Sequence, residues 1–408
     1  MHRAAALRAH ALAARLAGKH DRAAATWRTL LDAAPMDWTT ALDLRHDLEQ
    51  AWHSADSDPA FRRATPAMPD DVWLDHYCAS LALPTSELEA IDTRARALQA
   101  AHSPNAQTEA LIGHVARDRR NWPDAARAYE AACALDPANT TWPGIAAECR
   151  RYARLANHTP ADAGTPDHEV FVINLDRNID RLADIERRFA GFPVPPQRLP
   201  AIDGTRLAQA AVAKLATPDA PRGTLGCFLS HAAAWERLLA GTAACALVLE
   251  DDAQPLLVLP TRFDALDLPP NWDLIWVNQR MQPQSDPDAA TGFSIHPVLP
   301  AVRSFPACHD APGGDGYLVS RQGARKLLDW SAADGLDGDV DLRMLAYSLS
   351  AQDVATLPPT NPTSRSVATH AARIQRQDRL QSHVLHPHLI RELSLRSTRI
   401  DADRMTAP

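Results

Sequence analysis

The sequence predicts an α/β domain preceded by an all-α repeat domain, and three observations carry that reading. The first is the run Ala246-Leu247-Val248-Leu249-Glu250-Asp251-Asp252, apolar residues ending abruptly in three carboxylates. It is too short for a typical helix and follows the breaker Gly241, so it reads as a buried strand. The second is that segments of strand and helix character alternate around it. The stretch 170–175 is strand-like, a helix begins near Asp180, residues 224–239 are helical, 317–320 is a strand and another helix opens at Leu342. Within 224–239, Leu225, Phe228, Leu229, Ala232, Trp235 and Leu239 fall on one helical face, with Thr224 as a candidate N-cap and Gly241 as the stop. The third is a 34-residue period in the first 155 residues.

That period is carried by Trp27, Phe61 and Tyr129, and by Pro35, Pro69 and Pro137, each eight residues after its aromatic. The intervening unit, with Ala95 and Pro104, slips by one. Residues 122–137 (WPDAARAYEAACALDP) form the clearest copy. Small residues let two helices approach, the aromatic fills the groove between them, and proline ends the second helix. The pattern resembles the tetratricopeptide repeat, an architecture that binds a protein partner or stiffens its neighbour.

Domain limits follow at 1–156 for the repeats, 157–168 for a linker with two prolines and Gly164, 169–370 for the α/β domain, and 371–408 for a helical or frayed tail. The formal net charge of −8 gives no bulk attraction to nucleic acid or to an anionic membrane. Lys19, Lys214 and Lys326 are the only lysines, so the basic residues are nearly all arginine. The six cysteines are scattered with no CxxC, which predicts free thiols in a reducing compartment. The first helix is interrupted by Arg8, His10 and Arg15, unlike a signal peptide, and no transmembrane segment is visible. A cytoplasmic protein, peripheral at most to the inner membrane, is expected.

Three adjacent acids beyond a strand repel one another unless a cation sits among them. In an open α/β sheet that crevice is where ligands bind. Oxygen ligands suit a hard divalent ion, Mg2+ or Mn2+, which commonly completes its shell with substrate phosphate. Strand alternation sends Glu250 and Asp252 to one side and Asp251 to the other. Asp252 is therefore the first candidate metal ligand, with Glu250 beside it on the metal or on a donor ribose.

The ordered set VFVINLDRNIDR, LPAIDG, GTLGCFLSHAAAWERL, ALVLEDDA, WDLIWVN, GYLVSRQGARKLL and DVDLRML resembles glycosyltransferase family 25, over roughly residues 168–370. That resemblance implies a GT-A-type, Rossmann-like α/β fold, a UDP-sugar donor, a divalent cation and inversion at the anomeric carbon. It further implies a hexose, galactose or glucose, delivered to a saccharide or glycolipid acceptor in bacterial lipopolysaccharide or surface polysaccharide synthesis. Asn174, Arg177, Asp203, Ser230, His231, Glu250 and Asp251 are its candidate donor contacts. Asp203-Gly204 is also a plain turn dipeptide, and Arg181 reads as a surface partner of Asp176, Asp180 and Asp184. Cys227 and Trp235 read as core.

Inverting transfer needs a base for the acceptor hydroxyl. Asp341, at the family's Val-Asp position before a helix, ranks first, ahead of Asp315 and Asp310 in the glycine-rich stretch before Tyr317. Helix capping alone would explain one of the acids Asp337, Asp339 and Asp341 but not all three. The alternative reading is a non-catalytic scaffold whose repeats hold a protein partner and whose transferase domain has degenerated. His383, His386 and His388 lack acid or thiol partners in sequence and are not read as a metal site.

Overall fold

The computed structural model describes residues 2–50, 58–79, 83, 87–156, 166–217, 220–259, 261–281, 292–303, 312–372, 374 and 377–393. Most of the expected linker, and Asp310, lie outside these residues. Two compact units emerge, Met1–Ala153 and Arg154–Leu393.

The first unit is helical: α1 (His2–Leu16), α2 (His20–Ala33), α3 (Trp38–Gln50), α4 (Pro59–Ala64), α5 (Asp70–Ala79), α6 (Leu88–Ala101), α7 (Ala106–Asp118), α8 (Trp122–Leu135) and α9 (Trp142–Ala156). The clearest copy of the sequence repeat, 122–137, falls on α8, which packs against α7. Gly113 of α7 lies so close to Tyr129 of α8 that a Cβ there would come within 3.0 Å of the ring. Tyr129 is fully buried and bonds the His114 ring. Among α1–α3 the apolar core encloses one charged group. Asp47 of α3 is buried and accepts from Trp27 Nε1 at 2.7 Å and from the Arg15 guanidinium at 2.7 and 2.9 Å, with His20 Nδ1 at 2.7 Å. Burial pushes this carboxyl's pKa up, but the Arg15, His20 and Trp27 bonds outweigh it and hold the pKa below the usual value. Phe61 is buried too, but on a six-residue helix capped by Asp58, which is why the middle of the repeat reads poorly.

The second unit is built on β1 (His168–Asn174), β2 (Gln197–Pro200), β3 (Cys245–Glu250), β4 (Ala253–Pro255), β5 (Leu274–Trp276), β6 (Ser294–Pro297), β7 (Gly316–Ser320), β8 (Ser382–His386) and β9 (Ile390–Glu392). Its helices are α10 (Ile179–Arg188), α11 (Gln209–Leu215), α12 (Arg222–Ala240), α13 (Val298–Arg303), α14 (Arg321–Asp334), α15 (Val340–Ser348), α16 (Ala351–Ala355) and α17 (Pro362–Ala371). Seven strands form one mixed sheet in the order β2-β1-β3-β7-β5-β8-β6, and β4 pairs with β9 separately. The β1–β2, β1–β3 and β5–β8 pairs are parallel; β3–β7, β5–β7 and β6–β8 are antiparallel.

Both faces of this sheet are covered, so its central strands are apolar at every position rather than at alternate ones. Phe171, Ala246, Val248, Trp276, Tyr317 and Val319 belong to the core with α12, α14 and α15. Val170, Val172, Leu247, Leu249, Ile275 and Leu318 pack on the other side with Ile185 of α10 and Phe263.

Helix α12 starts two residues before the expected Thr224 cap and ends at Gly241 as expected. Arg321 secures that end, donating to the carbonyls of Leu238, Leu239 and Gly241 at 2.8, 2.8 and 2.9 Å. Its start crosses the Asp203-Gly204 turn at backbone contact. A Cβ on Gly204 would sit 1.8 Å from the Arg222 carbonyl, and one on Gly226 would sit 2.6 Å from the Ile202 carbonyl.

The tail is not helical through its described part. Residues 382–386 form β8 inside the main sheet, with Val384 and Leu385 buried, and 390–392 form β9. These strands are too short to show a period, and the histidines and prolines around them mask the apolar residues.

Candidate active site

The carboxylates at the end of β3 diverge as strand alternation requires, and their surroundings separate their roles. Asp251 turns to the end of β1, where its oxygens accept from Asn174 Nδ2 at 2.8 Å and Arg181 Nη1 at 2.9 Å. Asn174 also donates to the Asn178 carbonyl and accepts from Arg198, and it is buried. Asn174, Asp251 and Arg181 thus form a brace between neighbouring parallel strands. Arg181, expected to pair on its own helix surface, belongs to this brace instead.

Glu250 faces the opposite way, its Oε1 3.4 Å from His231 Nε2. His231 is fully buried, and its Nδ1 lies 2.9 Å from the Tyr317 hydroxyl, which also accepts from Trp235 Nε1 at 3.0 Å. Ser230 has an internal role: its hydroxyl accepts from Ile202 N at 2.8 Å and donates to the Gly226 carbonyl at 2.7 Å. It pins α12 to the 202–204 turn. Asp203 caps that turn through Thr205 and pairs with the half-exposed Arg177. Partial burial pushes its pKa up, but the bonds from Thr205 and Arg177 carry it below the ordinary carboxylate value. Arg177 and Glu250 have the more exposed side chains of the site, and Asp203 lies beneath Arg177.

Asp252 has no such partner. Its Oδ1 is buried without a hydrogen bond, and its pKa is raised well above the usual value, first by burial and then by Glu250, Asp251 and Glu392. Glu392 comes from β9, opposite Ala253. It pairs with Arg280 at 3.0 Å, and Arg280 Nε lies 3.3 Å from Asp315 Oδ1. Neither Arg280 nor Glu392 was expected from sequence. Arg280 follows the strand that ends in the WDLIWVN motif, so that motif could have pointed to it, whereas nothing near Glu392 could.

Asp315 and Asp341 sit on either side of the glycine-rich loop and differ sharply. Both oxygens of Asp341 are occupied by backbone amides, Oδ2 by Gly313 N and Oδ1 by Leu342 N, each at 2.9 Å. Asn278 holds the same loop, donating to the Pro312 and Gly313 carbonyls at 3.1 Å. Gly313 needs its left-handed φ of 78° there, and a side chain would strike Asp315 and Arg280. Asp315, by contrast, is buried with neither oxygen held by a hydrogen bond from another residue. Burial, reinforced by Glu250 and Glu392 and opposed by Arg280, raises its pKa to about 7. Of the other acids near Asp341, Asp337 accepts from Thr217 N and Oγ1, and its carbonyl accepts from Arg343.

Comparison with known families places similarity over the part of this site from β1 to β4, short of Arg280, Asp315, Asp341 and Glu392. Residues 167–256 match the model of "Glycosyltransferase family 25 (LPS biosynthesis protein)". Procollagen galactosyltransferase 1-A of Xenopus laevis is 30% identical over 178 residues, 40% of this chain and 28% of that protein. Procollagen galactosyltransferase 2 of Homo sapiens is 26% identical over 179 residues, covering 39% and 27%. A glycosyltransferase 25 family member of Aedes aegypti is 28% identical over 177 residues, covering 39% and 28%. The chain therefore spans under a third of the length of these relatives. No helix among the described residues is long and apolar enough to cross a membrane. From β1 through the β3 carboxylates, the α/β unit is similar to the glycosyltransferases of family 25.

Proposed function

We propose that the α/β unit is a hexosyltransferase that moves galactose or glucose from a UDP-sugar to a saccharide hydroxyl, with inversion. The observation that carries this is the half-buried carboxylate Asp252 at the end of β3, whose enclosed Oδ1 has no hydrogen bond and which lies within the family-matched segment beside Glu250 and Glu392. An acid with a strongly raised pKa and an unbonded oxygen fits a divalent cation: Mn2+ or Mg2+ would be held by Asp252, with Glu250 and Glu392 supplying further negative charge. Bound there, such an ion offsets charge on the departing nucleoside diphosphate. Arg177, with Asp203 beneath it, forms the rim that meets the nucleotide, while Asn174, Asp251 and Ser230 hold the strand ends and α12 in place for it. In this reading the sheet is of GT-A type and the helical unit is a tetratricopeptide-like module that binds a protein partner.

The base in this proposal is Asp315 rather than Asp341. As the acceptor oxygen attacks the anomeric carbon, its proton passes to the Asp315 carboxylate and the bond to the diphosphate oxygen breaks. A pKa near neutrality suits that step, and Arg280 orients the acid. Asp341, saturated by two backbone amides, shapes the loop that carries Asp315. The acceptor in this reading is a surface polysaccharide or lipopolysaccharide, which the wording of the family model's description supports and the procollagen galactosyltransferases among the relatives do not. Donor hydrolysis across a panel of nucleotide sugars, with and without Mn2+, tests the reading. Turnover of a UDP-hexose is expected, and no turnover of any donor would favour a scaffold.

A further inference from the structure

We propose that Cys227, His231 and Glu250 form a metal site for a borderline divalent ion of the zinc class, a second ion position that adjoins the hard-ion site at Asp252 and shares the charge of Glu250 with it. The proposal does not rest on the transferase reading. Cys227 and His231 stand four residues apart on α12, hence on one face of the helix. Glu250 meets them from the end of β3, and one ligand atom from each of the three lies within 4.8 Å of the others. A thiol, an imidazole and a carboxylate together suit zinc chemistry rather than magnesium or calcium.

Three details favour metal ligation over an ordinary His–Glu hydrogen bond. His231 Nε2 and Glu250 Oε1 are 3.4 Å apart, beyond the usual range for N–H···O. Two ligands at zinc bond lengths on a tetrahedral ion are separated by about that much, roughly 3.3–3.5 Å. The other ring nitrogen, Nδ1, is 2.9 Å from the Tyr317 hydroxyl, itself fixed by Trp235, so the ring is held from its far side with Nε2 turned toward Glu250. The glycine-rich loop also closes over the pair: a Cβ on Gly314 would come within 2.8 Å of Glu250 Oε1 and 3.0 Å of His231 Nε2. The site is thus walled on that side by backbone and offers three protein ligands. An ion there would lock the first half of α12 to the end of β3 and fix where Glu250 points.

Cobalt(II) substitution of the full chain, purified in chelator, tests this directly. One equivalent of Co2+ should give the intense near-ultraviolet band of thiolate–cobalt charge transfer, and Zn2+ should displace it. Cys227→Ser should abolish the band, while Cys133→Ser, in the helical unit, should retain it. Glu250→Gln should keep the band but weaken binding by more than the roughly 10–100-fold typical of losing an outer-shell partner. Should Cys227→Ser fail to fold by circular dichroism, the Glu250→Gln affinity decides. Absence of the band in the wild-type chain, its persistence in folded Cys227→Ser, or unchanged affinity in Glu250→Gln would overturn the site.

Discussion

At the scale of single residues, a carboxylate's partners separate structural acids from reactive ones. Asp341 and Asp251 satisfy both oxygens within the protein, whereas buried Asp315 leaves both oxygens, and half-buried Asp252 its enclosed Oδ1, without a hydrogen bond. Asp315→Asn should therefore lower the transfer rate by about 100-fold or more, the range for loss of general-base assistance, with donor affinity little changed in calorimetry. The same residue predicts a pH dependence of stability in the chelated protein. Its folded pKa, about 7, exceeds the unfolded value, so its contribution is intact below about pH 4 and is lost as pH rises to about 7. Urea unfolding should show wild-type stability falling across that window, and Asp315→Asn should flatten the fall. An equal slope in the variant would remove Asp315 as its source. None of this distinction was legible in the sequence, because Asp315 and Asp341 become comparable only once Gly313 and Asn278 set the loop between them. Nor could spacing reveal that Asp251 braces β1 while Asp252 stays open, although alternation along the strand did separate their directions.

At the scale of elements, the readable features were those set by local pattern. The apolar runs of β1, β3 and β7 and the long apolar face of α12 follow directly from residue order. Strands β8 and β9 do not, since they are short and held by neighbours distant in sequence, and with them Glu392 went unseen. The Asp203-Gly204 dipeptide also hides its reason for being there: Gly204 is needed because α12 crosses at backbone contact. Gly204→Ala should destabilise the unit by roughly 1–3 kcal/mol or more through overpacking, read as a lower denaturation midpoint. In the helical unit, Asp47→Ala would leave Arg15 and Trp27 without their shared acceptor. Arg15 keeps Asp43, so a loss of about 1–3 kcal/mol is expected, that of a buried donor left without its acceptor. A loss below 1 kcal/mol would mean that Asp47 is solvated in solution.

At the scale of the whole molecule, the sequence separates a helical repeat from an α/β segment, and the structure has two compact units that divide near residue 153. The α/β unit carries its own two-sided core and all the acids at the proposed site. A fragment beginning at Asp167 should accordingly fold and retain UDP binding, and residues 1–156 alone should give a helical circular dichroism spectrum. The central claim, that the β3 carboxylates hold a metal against a nucleotide, is tested most directly by calorimetry of UDP binding with and without Mn2+ in wild-type protein and in Asp252→Asn. Wild-type protein should bind UDP in a Mn2+-dependent manner, and that binding should collapse in a variant with an unchanged fold. Mn2+-dependent UDP binding of equal strength in Asp252→Asn would contradict it.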